Sequence, residues 1–242
     1  MIYKAHDGQA NYGESIGILL LDTFVPFIPG DVGNASTFPF PVRYQKIDGL
    51  TYRKLQEQKE KALPQLIEAG RQLERAGVKA VTADCGFMIP YQAEIAMALR
   101  IPVFTSSLLQ VTFIEKIISR QNKVGIITAE SDQLDDSLLI AAGASAERVE
   151  IIGMENKLHF SQAILDEAGT LNSEQVEKET VEAARELVLR EPTVSTILLE
   201  CSSLAPYAKA VQNAVQLPVF DYITMIEFVH RSLVKLDIQG FM

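Results

Sequence analysis

At 242 residues, with 48% hydrophobic side chains, the chain is long enough and apolar enough for one large domain or two half-size lobes, and its composition argues against disorder. Twenty-two basic residues face 31 acidic ones, for a formal charge of −9 with no basic block, which argues against nucleic acid or an anionic membrane surface as partner. No apolar run approaches the ~20 residues of a spanning helix, and the polar start from Met1 to Glu14 lacks a signal-peptide core. Two cysteines are no disulfide framework, so a reducing cytoplasm is the expected location.

From the N-terminus onward, short runs that are apolar at nearly every position predict strands at Ile16–Asp22, Val78–Asp84, Ile101–Thr105, Lys123–Thr128, Val149–Gly153, Val194–Glu200 and Leu217–Phe220. Parallel strands covered on both faces have this pattern. Helices are predicted between them, at Leu55–Ala76, Tyr91–Arg100, Leu108–Arg120, Asp132–Ala142, Glu174–Arg190, Pro206–Val215 and Thr224–Lys235. The clearest is Glu174–Arg190, whose stripe is Val176, Thr180, Ala184, Leu187 and Val188, with Asn172 as N-cap and Pro192 past the end. Gly77 and Gly143 read as glycines that end helices, and Pro64 as a late start or a kink. Strand–helix alternation of this kind gives a parallel α/β sheet with right-handed crossovers.

The stretch Thr23–Tyr52 stands apart, with Pro26, Pro29, Gly30, Gly33, Pro39 and Pro41. It leaves the first strand at its carboxyl end, where ligands bind in open α/β sheets, and its aromatics Phe24, Phe27, Phe38, Phe40 and Tyr44 call for a packing surface. We read it as a lid or cleft wall.

The two cysteines sit in matching contexts. Asp84-Cys85 is followed by Pro90-Tyr91 and Pro102-Val103-Phe104; Glu200-Cys201 is followed, at the same offsets, by Pro206-Tyr207 and Pro218-Val219-Phe220. Such a repeat allows a pseudo-twofold that sets two thiols across one cleft. Opposed thiols can remove a proton from one face of a carbon and return it to the other, one as thiolate and one as thiol. Each precedes a helix, whose dipole favours thiolate; the adjacent Asp84 and Glu200 oppose it, weakly if neighbours on a strand point to opposite faces. A lone cysteine at a strand end is more often apolar filler. The duplicated context favours catalysis, and the absence of Cys-x-x-Cys speaks against a redox pair.

On these two cysteines and on Val124-Gly125-Ile126-Ile127-Thr128, similar to a central strand ending in threonine, the chain resembles the aspartate/glutamate racemase superfamily from Ile16 to about Val229. That group also contains hydantoin racemases, maleate cis–trans isomerases and arylmalonate decarboxylases. The resemblance implies two flavodoxin-like lobes about a pseudo-twofold, the active site between them, no cofactor, and acid/base work by Cys85 and Cys201; it is compatible with a homo-oligomer. We place residues 1–118 plus 222–242 in a first lobe carrying Cys85 and the 23–52 flap, and 119–221 in a second carrying Cys201. Where amino-acid racemases of the group often have Asn-Thr after the first cysteine and Thr then Glu or His after the second, this chain has Gly86-Phe87 and Ser202-Ser203. Groups that would hold an α-amino acid are thereby lost, and free aspartate or glutamate is not required as substrate.

Candidate substrate-binding residues are Asp22, similar to the acid at the first strand's end in glutamate racemases, together with Ser106, Thr128, Ser202 and Ser203, with Ser107 and Arg43 behind them. Hydroxyls at such positions also serve as helix caps. His6, His159 and His230 form no metal-ligand spacing, so no metal is expected. The sequence thus predicts a cofactor-independent racemase or epimerase acting on a small compound with an acidic C–H beside a carboxylate or carbonyl. A hydantoin racemase or a maleate-type cis–trans isomerase is the alternative within the fold, and a non-catalytic small-molecule binder is the rival from another class.

Overall fold

The structure, a computed structural model, describes residues 2–5 and 7–242; His6 lies outside the described residues. Among the described residues the strands form two four-stranded sheets with every neighbouring pair parallel. The first contains β1 (Ile16–Leu20), β2 (Val42–Lys46), β3 (Ala80–Ala83) and β4 (Val103–Phe104), in the order β2-β1-β3-β4. The second contains β5 (Lys123–Thr128), β6 (Val149–Gly153), β7 (Val194–Leu199) and β8 (Val219–Phe220), in the order β6-β5-β7-β8. The order is the same in both, so β3 and β7, which lead into the two cysteines, occupy the same inner place. All of β3 is buried, as is β7 apart from Ser195, which explains their unbroken small or apolar character.

Helices α1 (Tyr52–Glu57), α2 (Lys59–Arg75), α3 (Gln92–Ala98), α4 (Leu109–Ile117), α5 (Asp136–Ala141), α6 (Leu158–Phe160), α7 (Ser173–Arg190), α8 (Ala208–Val215) and α9 (Tyr222–Leu233) cover the sheets. In α7 the Asn172 side chain accepts from the Gln175 N–H at 3.2 Å, and Val176, Thr180, Ala183, Ala184 and Leu187 are buried. Leu187 lies over Gly125 of β5, leaving no room there for a β-carbon. Truncating a buried leucine of this kind typically costs about 2–5 kcal/mol. Helix α9, capped by Asp221 in a reciprocal box with Thr224, returns to the first sheet and packs Tyr222, Met225 and Ile226 with Ile16, Ile18 and Ala80. Gly77 and Gly143 have φ of +93° and +73°, the left-handed turn that releases the chain from a helix.

Three expectations need correction. The 23–52 segment is not loop throughout: Val42–Lys46 is β2, paired with β1 from Ile16↔Val42 to Leu20↔Lys46. It is an edge strand, so its Arg, Gln and Lys reach solvent and its sequence lacks the all-apolar signature. The helix expected over Leu55–Ala76 is broken into α1 and α2 at Gln58 (φ −124°, ψ 50°), while Pro64 lies inside α2. The helices expected from Tyr91 and Pro206 begin at Gln92 and Ala208, and the cysteines are followed first by 3₁₀ turns, Gly86–Tyr91 and Ser202–Tyr207. None of the described helices is long and apolar enough to cross a membrane.

Candidate active site

Cys85 and Cys201 each follow a buried inner strand and stand, with extended backbone, at the head of a matching 3₁₀ turn. Both thiols line one small cavity between the two sheets, about 70 Å³, room for roughly five waters. Leu21, Thr23, Val25 and Phe27, from the chain leaving β1, form one wall. Tyr52 and Phe87, packed edge to face with centroids 5.6 Å apart, form a second, and Ile164, Leu165 and Glu167 close the far side. The N-terminal part of the 23–52 segment is therefore a cleft wall, while Phe38 and Phe40 pack against α9, Phe40 stacked on His230.

The two sheets are laced together around this cavity. The Ser202 hydroxyl donates to the main-chain carbonyl of Asp84 at 2.6 Å, and the Ser107 hydroxyl donates to that of Glu200 at 2.9 Å. At the mouth, Tyr52 donates to Glu130 at 2.6 Å and the Phe24 N–H donates to Glu167 at 3.0 Å.

The expected substrate-binding residues separate into two groups. Ser202 and Ser203 line the cavity, Ser202 with its hydroxyl committed to Asp84 and Ser203 with its hydroxyl beside the Asp31 carboxyl. Asp22, Ser106 and Thr128 do not line it. Asp22 is held at the surface by the Gly49 N–H and Lys46, which keep its carboxyl below the usual range. Ser106 caps the turn at Leu108, and Thr128 donates to the Glu200 carboxylate at 2.9 Å. Arg43 is tied to Glu14 and Asn11 on β2.

The electrostatics run against one expectation. The turns that follow the cysteines do not hold the thiols low. Burial raises both, and Asp84 and Glu200, buried in the same wall and not directed away, add repulsion. The main-chain N–H groups of Phe87 and Ser203 offset only part of this. Asp84 and Glu200 oppose the ionisation of Cys85, Glu200, Asp31 and Asp84 oppose that of Cys201, and the two thiols, sharing one cavity, oppose each other. The carboxyls respond in the same direction: burial lifts Asp84 and Glu200 to about 7 and Asp31 to about 6.

The residues that sequence reasoning did not select are Thr23, Phe27, Tyr52, Phe87 and Glu167. The proline-rich flap pointed toward Thr23 and Phe27. Glu167 carries no sequence signal, since it reaches the mouth only through the π-type turn Ser161–Leu165 and a left-handed φ of +50°.

Residues 41–226 match the Asp/Glu/Hydantoin racemase family, and the chain belongs to that family. Its relatives include dimethylsulfoniopropionate lyase 5 of Emiliania huxleyi (strain CCMP1516), 31% identical over 229 residues, covering 90% of this chain and 45% of that protein. A dimethylsulfoniopropionate lyase of Durusdinium sp. clade D is 29% identical over 230 residues, covering 91% and 75%. The chain thus spans less than half the length of the first of these. Among solved structures, glutamate racemase from Bacillus anthracis superposes with a TM-score of 0.59 at 15% identity, covering 92% of this chain and 84% of that one. At that identity the likeness is one of fold.

Proposed function

We propose that the chain is a thiol-dependent carbon-acid lyase: Cys201 removes the proton α to the carboxylate of a small acid, and a leaving group departs from the β carbon. The observation that carries this is the pair of cysteines on one small cavity, each opposed by buried carboxyls, so that ionising both thiols together is disfavoured. Two-base racemisation asks each thiol in turn to serve as base, whereas elimination asks it of one, a part this reading gives to Cys201. The lyases among the relatives supply the substrate to try first, dimethylsulfoniopropionate, and their names support elimination over proton return.

Written with its electrons, the Cys201 thiolate takes the α proton and the C–H pair becomes the new carbon–carbon double bond. The bond from the β carbon to sulfur then breaks with its pair going to sulfur, leaving an unsaturated carboxylate, a neutral thioether and a Cys201 thiol that returns its proton to solvent. The Thr23 hydroxyl, buried at the cavity wall without a partner, is placed to donate to the carboxylate as negative charge develops on it. The Phe27 and Phe87 rings exclude water from the reacting carbon.

Racemisation or epimerisation by both thiols is the second reading, favoured by their matched placement on the repeat. Incubation in D₂O with dimethylsulfoniopropionate and a panel of chiral α-substituted acids separates the two. Elimination yields unsaturated acid; racemisation yields unconsumed substrate carrying deuterium at the stereocentre. Deuterium uptake without elimination across the panel overturns the lyase reading.

A further inference from the structure

Among the described residues the cavity walls carry acids and no cationic side chain. Asp84, Glu167 and Glu200 line it, Asp31 lies beneath Ser203, and no lysine, arginine or histidine is among the lining residues. Glu200 is fully buried. Its Oε2 accepts from the Thr128 hydroxyl, whereas its Oε1 has no partner and is pressed against the α-carbon of Gly86, beside Cys85. Asp84, 7% exposed, repeats the arrangement on the other strand: one oxygen accepts from the Leu21 N–H at 3.1 Å and Oδ1 has no partner. Buried carboxyl oxygens are normally satisfied, and a buried carboxylate is normally paired with a cation. Here two carboxyls in duplicated positions face the same cavity, and among the described residues each leaves one oxygen unsatisfied and has no cation beside it.

We propose that Glu200 and Asp84 supply the counter-charge for a positively charged group on the substrate, so that the cavity selects small zwitterionic onium carboxylates over neutral acids of the same shape. The inference deepens the lyase reading and rests on it for the carboxylate end of the substrate. Tyr52 and Phe87 present aromatic rings in the same cavity, surfaces that favour a methylated cation. The adjoining outer cleft is lined by Glu57, Glu130, Glu155 and Asp166, with Arg53 as the one base, a field that draws cations toward the mouth.

Binding is then linked to protons. An arriving cation favours the ionised form of every acid around it: Asp84 and Cys85 at the end of β3, Glu200 and Cys201 at the end of β7, and Asp31 in the flap. Glu167 and Tyr52 face it from the mouth. The positive charge also favours the Cys201 thiolate, so the substrate that fits is the one that activates its own base.

The test compares two unreactive ligands of nearly equal shape, 3-(trimethylammonio)propanoate and its uncharged carbon isostere 4,4-dimethylpentanoate, by titration calorimetry at pH 7 in buffers of different ionisation enthalpy. The onium ligand is expected to bind at least tenfold more tightly than the isostere and to release protons as it binds. Glu200→Gln and Asp84→Asn should each reduce that preference several-fold and diminish the proton release. The wild-type comparison needs no variant, so misfolding cannot obscure it. Equal binding of the two ligands, no binding of the onium ligand, or a preference unchanged in both variants overturns the proposal. Onium preference without any elimination would leave this inference standing and remove the lyase reading; elimination without onium preference would do the reverse.

Discussion

The Ser202 hydroxyl reaches 2.6 Å across the cleft to the main-chain carbonyl of Asp84, so the residue after one cysteine holds the residue before the other. The bond is buried and fixes the two cysteine turns relative to one another. A serine at this place is therefore a tie between lobes before it is a donor to substrate.

Ser202→Ala leaves that buried carbonyl without its partner, which costs about 1–3 kcal/mol. Denaturant unfolding should show a loss in this range. Turnover should fall with little change in KM, because the thiol is misplaced while the cavity walls stay. An unchanged midpoint and unchanged turnover would mean that the tie is dispensable.

Gly86→Ala is expected to be severe although the change is one methyl group. A β-carbon at Gly86 occupies the space of the Glu200 Oε1, so the carboxyl has to move. Overpacking in a dense interior costs about 1–3 kcal/mol. Onium binding should weaken more than stability does, and Gly86→Ala combined with Glu200→Gln should not restore it, since the amide has the same volume. Wild-type affinity in Gly86→Ala would show that the glycine is incidental.

Stability should fall as pH rises from 6.5 to 8. Asp84 and Glu200 titrate near 7 in the folded chain and near the ordinary carboxylate range when unfolded, so in this window the folded state holds more protons. A raised carboxyl contributes stability that is complete below its unfolded pKa and is lost as pH climbs through the folded value. His230, whose pKa burial lowers, acts in the opposite sense below the window. Thermal unfolding of the wild type should show Tm declining across it, and Glu200→Gln should flatten the slope. A Tm that is level or rising in the wild type contradicts the assigned burial of these acids.

The inner strands, the family and both cysteines were legible in the sequence because parallel strands buried on two faces leave unbroken apolar runs, and because the duplication wrote the same offsets twice. β2 was not, since this edge strand is partly exposed along its whole length and its Arg43, Gln45 and Lys46 resemble loop beside Pro39 and Pro41. The thiols' surroundings were misread for a different reason. Alternation along an ideal strand sends neighbours to opposite faces, but Asp84 and Glu200 lie just past the ends of β3 and β7, where that alternation no longer holds. The roles of Ser106, Thr128 and Asp22 depend on partners far along the chain or at the surface turn, such as Thr128 with Glu200, and spacing does not encode such pairs.

The decisive measurement is headspace analysis of thioether released from dimethylsulfoniopropionate, with the unsaturated acid quantified in parallel, for the wild type, Cys201→Ser and Cys85→Ser. The wild type should form the two products in equal amounts. Cys201→Ser should lose about 10²–10⁴-fold in rate, the usual contribution of a general base, and Cys85→Ser should lose distinctly less. A folded wild type that releases no thioether, or a Cys201→Ser variant that keeps the wild-type rate, would contradict thiol-driven elimination at this site.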